Sequence, residues 1–292
     1  MSRPPEWRET SFDSPVTRVA VPVISVKGDV CRLSGTACVI APWLAITARH
    51  VIEGEFREFG GGLLVDPTGT YEALHRTLVL TWPHDGKPGI SLHVVRSWCS
   101  SHSDLAALWL VPDRPEDLGR RWGCPVLSVT PPSIGTRVAA FGFPNSGTVP
   151  TDLNQFSISV FPATSTGHVV EVHQAQRDRG LLSFPCFRTN ARFDPGMSGG
   201  PVFDERGRLC GLVCASLPAP DGPQPEHVSY VSTLWPLLSI NIEMPWDRYP
   251  AGSRYPLYRY AEAGVIRAEG LEALELREDA AGSSVTYRWA SQ

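Results

Sequence analysis

An all-β fold is predicted by two observations on this 292-residue sequence. Its 27 prolines and 26 glycines exceed average usage without reaching disordered compositions, which suits short strands joined by many turns. Its apolar runs are brief, tend to alternate in polarity and are bounded by turn residues, the pattern of half-buried strands. The length allows one or two domains with ample core. In chain order, Val16–Lys27 alternates as a first strand and Arg32–Ile46 forms a hairpin about Pro42. Strands follow at Leu74–Trp82 and Ile90–Trp98, separated by the turn-rich Pro83–Gly89, with a buried strand after Asp104. The Pro-, Arg- and Asp-rich stretch Pro112–Pro132 reads as a linker. Further strands are expected at Thr136–Phe141, Gln155–Pro162, Gly167–Val172, Leu182–Arg188, Pro201–Phe203, Leu209–Ser216 and His227–Ser232.

Beyond Ile242 a proline- and aromatic-rich tether, Pro245–Pro256, leads to a short helix within Leu257–Ala268. Two alternating runs, Leu271–Arg277 and Ser284–Trp289, then make a hairpin about Glu278–Ser283. An isolated hairpin is barely stable, so this one packs either on the body of the chain or on another protein.

Charge and termini exclude several classes. A net charge of −4 and a pI near 6.1 argue against nucleic acid as the main ligand, because phosphate binding needs a basic face. The N-terminus has no apolar run behind its charges, so no secretory signal is expected, and no apolar stretch is long enough for a membrane span. Seven cysteines, an odd number, point to a reduced, cytoplasmic setting. Cys210 and Cys214 fit core packing better than a metal pair. Lys27 and Lys87 are the only lysines among 26 Lys and Arg, a bias that fits a GC-rich bacterial genome.

The chemistry concentrates in Asp194-Pro-Gly-Met-Ser-Gly-Gly-Pro201, where a serine stands between glycines ahead of an apolar strand. Glycines there let a substrate carbonyl approach the main chain, and the Gly196 and Ser198 amides can converge on a developing oxyanion. A hydroxyl needs a base oriented by a carboxylate. Of the eight histidines only His50 has a fitting frame, at the end of Gly35–His50, where it leaves a strand on a short polar step. Asp104 stands at the mouth of the apolar run Leu105–Val111, a place where a carboxylate needs a partner. The remaining polar candidates have ordinary readings. His102 lacks a strand-end frame, His168 and His173 are surface residues on opposite faces of one strand, Glu53 and Glu55 form a solvated turn, and Asp113 and Asp117 are exposed linker acids.

Thr47-Ala-Arg-His50, Asp104-Leu-Ala106 and Gly196–Pro201, in that order, resemble the chymotrypsin-like serine protease family, and in particular its bacterial trypsin-like, HtrA-type branch. Val138–Pro144, Thr189–Pro195 and Arg206–Val213 continue the resemblance, which spans roughly residues 15 to 242. It implies two six-stranded antiparallel β-barrels, the first over about 15–111 and the second over 136–242 with a linker at 112–135, so that a protease domain occupies 1–244 and a helix and hairpin extension 245–292. It implies a serine endopeptidase acting on proteins or peptides, with Ser198 as nucleophile, His50 as general base, Asp104 orienting His50, and the Gly196 and Ser198 amides as oxyanion hole. The pocket for the residue before the scissile bond then falls to Arg192, Phe193, Cys214, Ala215 and Ser216. No metal and no organic cofactor is implied.

Met197 departs from the digestive members of that family, where an aspartate pairs with a new N-terminal amine. Activation is therefore expected through a conformational switch or a partner rather than by N-terminal cleavage, and the extension is a candidate surface for an activating protein. The alternative is a protease scaffold of little turnover that serves as a protein-binding module.

Overall fold

The computed structural model describes residues 6–27, 30–59, 62–64, 70–73, 76–81, 89–119, 123–152, 155–217, 228–243, 252–279 and 282–289. Two sheets carry the architecture, and each contains a closed circuit of six antiparallel strands. In the first, Ile90–Cys99, Arg76–Thr81, Ala20–Lys27, Val30–Ala41, Leu44–Thr47 and Ala106–Pro112 pair in that order, and the last pairs back onto the first. In the second, Arg137–Gly142, Ala163–His173, Cys186–Thr189, Val228–Thr233, Leu209–Leu217 and Pro201–Asp204 close in the same way. Closure removes exposed strand edges. The fold is thus the double barrel expected from the sequence.

Apolar runs explain both circuits. Ala37–Ala41 and Leu44–Ile46 are fully buried on both faces, one side lying in the first barrel and the other against the second. That two-sided burial is why this hairpin reads as a continuous apolar run instead of alternating. Its two-residue turn holds Trp43 at φ +64°, the left-handed region that hairpin turns require.

Several elements differ from expectation. Pro15–Arg18 is a 3₁₀ turn instead of the start of the first strand, with the Thr17 hydroxyl donating to the Phe12 and Ser14 carbonyls. A strand at Glu6–Glu9 pairs with Ala163–Thr166, the end of a barrel strand that runs past its Cys186–Thr189 neighbour; its polar sequence gives no strand signal, because main-chain bonding supplies the pairing. Gly147–Asp152 pairs with Gln155–Ser159 as a hairpin outside both circuits. His50 does not sit on a polar step after a strand: it lies in helix α1, Arg49–Phe59. Val51, Ile52 and Glu55 form the buried face of α1, and Arg49, Glu53 and Arg57 form an i,i+4 ladder along it. The expected solvated turn at Glu53 and Glu55 is corrected accordingly, since Glu55 is buried and accepts from Thr77 Oγ1 at 3.0 Å. Asp113, read as unremarkable, accepts a hydrogen bond from Ser91 Oγ and faces the His93 ring.

The C-terminal segment packs on the body of the chain. Helix α2, Leu257–Glu262, is shorter than expected because Gly264, at φ +73°, turns the chain away. Ala268–Glu269 then pairs in parallel with Leu127–Ser128, and Leu274–Asp279 with Gly282–Tyr287 forms the expected hairpin. Leu257, Tyr260, Ile266, Leu274 and Val285 are buried in one cluster with Ile40, Leu44 and Trp98 of the first barrel and Leu209 and Leu212 of the second. The tether lies outside the described residues up to 251.

Burying five large side chains contributes on the order of 10 kcal/mol before entropy is charged, which is comparable to a domain's whole net stability. Removing residues 245–292 is therefore expected to lower the melting temperature sharply and to abolish activity toward every substrate. Calorimetry and a peptide assay on the truncated chain check this, and unchanged melting and turnover would contradict it. None of the seven cysteines is in a disulfide, and no described helix is long and apolar enough to cross a membrane.

Candidate active site

The site lies where the nucleophile loop of the second barrel meets the hairpin of the first. Thr36 is the joint. Its N–H donates to the Ser198 carbonyl at 2.8 Å, its hydroxyl donates to the Gly196 carbonyl at 2.8 Å, and its own carbonyl accepts from Thr47 Oγ1 at 2.7 Å. Residues 196–198 are thereby tied to the strand ending three residues before His50. Thr36 and Thr47 lie within the sequence strings that frame the site, but their roles depend on contacts across 160 residues that no local signal encodes.

Glycine is required at two points of the loop. Gly199, at φ +77°, passes so close to Thr47 Oγ1, the Thr36 carbonyl and the Ala48 amide that a Cβ there would collide with all three. Gly196, at φ +95°, runs against the Phe143 carbonyl. Both conformations exclude ordinary side chains. The Gly199 N–H donates to the Val213 carbonyl and the Gly200 N–H to that of Met197, each at 2.8 Å, and Met197 is fully buried in the second barrel's core. The Gly196 and Ser198 N–H groups, by contrast, have no acceptor among the described residues. Two free amides on a fixed turn are what an oxyanion needs.

Asp104 grips His50 twice. The His50 backbone N–H donates to Oδ1 at 2.9 Å, and Nδ1–H donates to Oδ2 at 2.7 Å. The second bond fixes the tautomer, leaving the Nε2 lone pair free. The carboxylate is nearly covered whereas the imidazole is 43% exposed. Burial pulls the imidazole pKa down, but the hydrogen bond to Asp104, its charge and that of Glu53 outweigh burial and Arg57, so the pKa lies above the ordinary histidine value. Arg49 closes the corner by donating to the Ser100 carbonyl at 2.9 Å.

Cys214 also reaches this pair. Its thiol is pushed well above the usual range, first by burial and then by Asp104, against which it lies. Its partner in the sequence, Cys210, donates to the Val202 carbonyl at 3.3 Å inside the core, so the two thiols do not face one site. Among the described residues no group of three or more His, Cys, Asp or Glu side chains is arranged to hold a metal.

His50, Asp104 and the Ser198 loop are brought together, but the Ser198 hydroxyl makes no hydrogen bond to the His50 ring in this structure. A cleft of about 610 Å³ opens over His50 and Asp104, with Cys214 and Ala215 on one wall and Leu181–Phe184 on another. Leu181, 62% exposed, offers it an apolar surface that the sequence did not reveal. Arg192, Phe193 and Ser216 do not line this cleft. Arg192 donates to Asp194 at 2.7 Å and lies over the Trp7 ring, while Phe193 is buried with Met197. His102 lines the cleft but faces neither Asp104 nor Ser198 through a hydrogen bond. His173, expected at the surface, is three-quarters covered and sits beside Glu171 at 3.3 Å.

Residues 35–212 match the model of the trypsin-like peptidase domain, and the chain belongs to that family of serine proteases. Among solved structures the fold is similar to that of Deg5, with a TM-score of 0.51 and 18% identity over 76% of this chain and 86% of that one. The MamO protease domain from Magnetospirillum magneticum aligns with a TM-score of 0.47 and 17% identity over 75% and 94% of the two chains. The Rv3671c protease from M. tuberculosis, in its active form, aligns with a TM-score of 0.46 and 18% identity over 75% and 77%. No curated protein matches the chain.

Proposed function

We propose that this chain is a serine endopeptidase that cleaves protein or peptide substrates through an acyl-enzyme. The observation that supports it most is the double grip of Asp104 on His50, which fixes a neutral base with a free Nε2 beside a cleft. In this mechanism Ser198 Oγ attacks the substrate carbonyl while its proton passes to His50 Nε2. The Gly196 and Ser198 amides receive the oxyanion. The imidazolium then protonates the leaving amine, and a water activated by the same ring hydrolyses the ester.

A second reading, a scaffold of little turnover, is favoured by the missing bond between Ser198 and His50. Catalytic hydrogen bonds often tighten only once substrate is bound, so a conformational step that closes this bond, on substrate or on a partner protein, accommodates both the geometry and regulated activity. Met197 supports a switch of that kind, because an apolar side chain in the core has no charge to pair with a new N-terminus. The cytoplasmic setting is supported by seven cysteines of which none is in a disulfide.

Hydrolysis of quenched-fluorescent peptides and of an unfolded protein tests the reading, and turnover of neither under any condition would favour the scaffold. The pH profile adds a finer check. His50 must be neutral to accept a proton, so kcat/KM falls as pH drops through its pKa. Since that pKa is raised, the acid limb is expected to have its midpoint above about 6.5. A midpoint well below that value would contradict the Asp104 pairing.

A further inference from the structure

A second cleft, of about 710 Å³, runs between the body of the chain and the C-terminal hairpin and adjoins the one over His50, with Ser101, His102 and Ser183 lining both. Its far wall is aromatic. Trp235, Tyr287 and Trp289 stand in a row, with ring centroids 6.3 Å apart for the first pair and 4.5 Å for the second. The extension supplies two of the three rings: Ser239 Oγ receives the Val285 N–H at 3.0 Å, and the Arg288 N–H donates to the Ala273 carbonyl at 2.8 Å, which fixes the strand end that carries Tyr287 and Trp289.

We propose that this hairpin completes the substrate cleft, forming a distal subsite for an aromatic or large aliphatic side chain of the peptide on the N-terminal side of the scissile bond. The inference rests on the endopeptidase reading and goes past it to substrate class. Three observations carry it. The two clefts adjoin along Ser101, His102 and Ser183, which places the second within reach of a chain lying over His50. Cys214 and Ala215 line the first cleft and not the second; with the residue before the cleaved bond against them, as the endopeptidase reading has it, positions farther toward the substrate's N-terminus run past Ser183 to the aromatic row. The chemistry is that of a neutral peptide. No Asp, Glu, Lys or Arg lies among the described lining residues, so no carboxylate, ammonium or guanidinium there selects a charged side chain, while Gln174 and Asn241 carry side-chain amides suited to main-chain groups. Aromatic rings favour apolar and especially aromatic partners.

Peptides with eight residues before a fixed cleavable bond, carrying phenylalanine at each upstream position in turn over alanine, test the subsite. One upstream position is expected at which phenylalanine raises kcat/KM by about tenfold over alanine. In Trp289→Ala that ratio is expected to fall to about one. Thr286→Arg, at an exposed position of the same wall, is expected to do the same and keeps the test open if the first variant melts early. A flat scan in the wild type, or a preference surviving in both variants, would overturn the proposal. Fluorescence anisotropy of the same peptides on Ser198→Ala separates the two readings. A binding preference lost in Ser198→Ala/Trp289→Ala, with no hydrolysis by the wild type, keeps the subsite and removes the endopeptidase. Hydrolysis without preference removes the subsite alone.

Discussion

Replacing Ser198 by alanine is expected to lower kcat by about 10⁴- to 10⁶-fold, and His50→Ala by a similar factor. The size follows from the division of labour: the hydroxyl is inert without a base and the base has no task without the hydroxyl. The double variant should therefore be scarcely slower than either single one, since residues that act as a unit are non-additive. Both residues sit on elements fixed by other groups, Ser198 through the Thr36 bonds to its own carbonyl and that of Gly196 and His50 through the main chain of α1, so the melting temperature should barely move. Steady-state kinetics on purified variants checks both points, and near-wild-type turnover in Ser198→Ala would remove the assignment.

Asp104→Asn is expected to cost about 10⁴-fold in kcat through the histidine tautomer. An asparagine that keeps accepting the His50 backbone N–H through its oxygen presents its NH₂ to Nδ1. That forces the imidazole proton onto Nε2, the nitrogen that must accept from Ser198. Loss of the carboxylate also removes two of the three influences that raise the His50 pKa, leaving only the Glu53 charge, so the residual activity should have an acid limb at lower pH than the wild type. An Asp104→Asn variant of full activity, alongside an impaired Asp113→Asn, would move the carboxylate role to the linker acid.

The candidate triad was legible because each member lies in a short string whose neighbours announce it: Gly196 and Gly199 around Ser198, the apolar run after Asp104, the buried hairpin before His50. The strands were legible where burial is one-sided or the apolar run is long. Other features depend on contacts that no local pattern carries. Helix α1 contains Gly54 and mixed charges, and owes its existence to the burial of Val51, Ile52 and Glu55 and to its Arg–Glu ladder. The Glu6–Glu9 strand is polar and owes its pairing to the Ala163–Thr166 end of a barrel strand that extends past its Cys186–Thr189 neighbour. Arg192 reads as a pocket residue from its position before the nucleophile, yet Asp194, two residues on, holds it toward Trp7. The C-terminal hairpin shows its apolar face in the sequence, but only the fold reveals that both barrels cover it.

The most direct test of the account is fluorophosphonate labelling followed by mass spectrometry of the intact protein and its peptides. The account predicts a single phosphonyl adduct on Ser198 in the wild type, none in Ser198→Ala, and labelling slowed by orders of magnitude in His50→Ala. An adduct that persists in Ser198→Ala, or a wild-type protein that stays unlabelled in the presence of a peptide it binds, would contradict it.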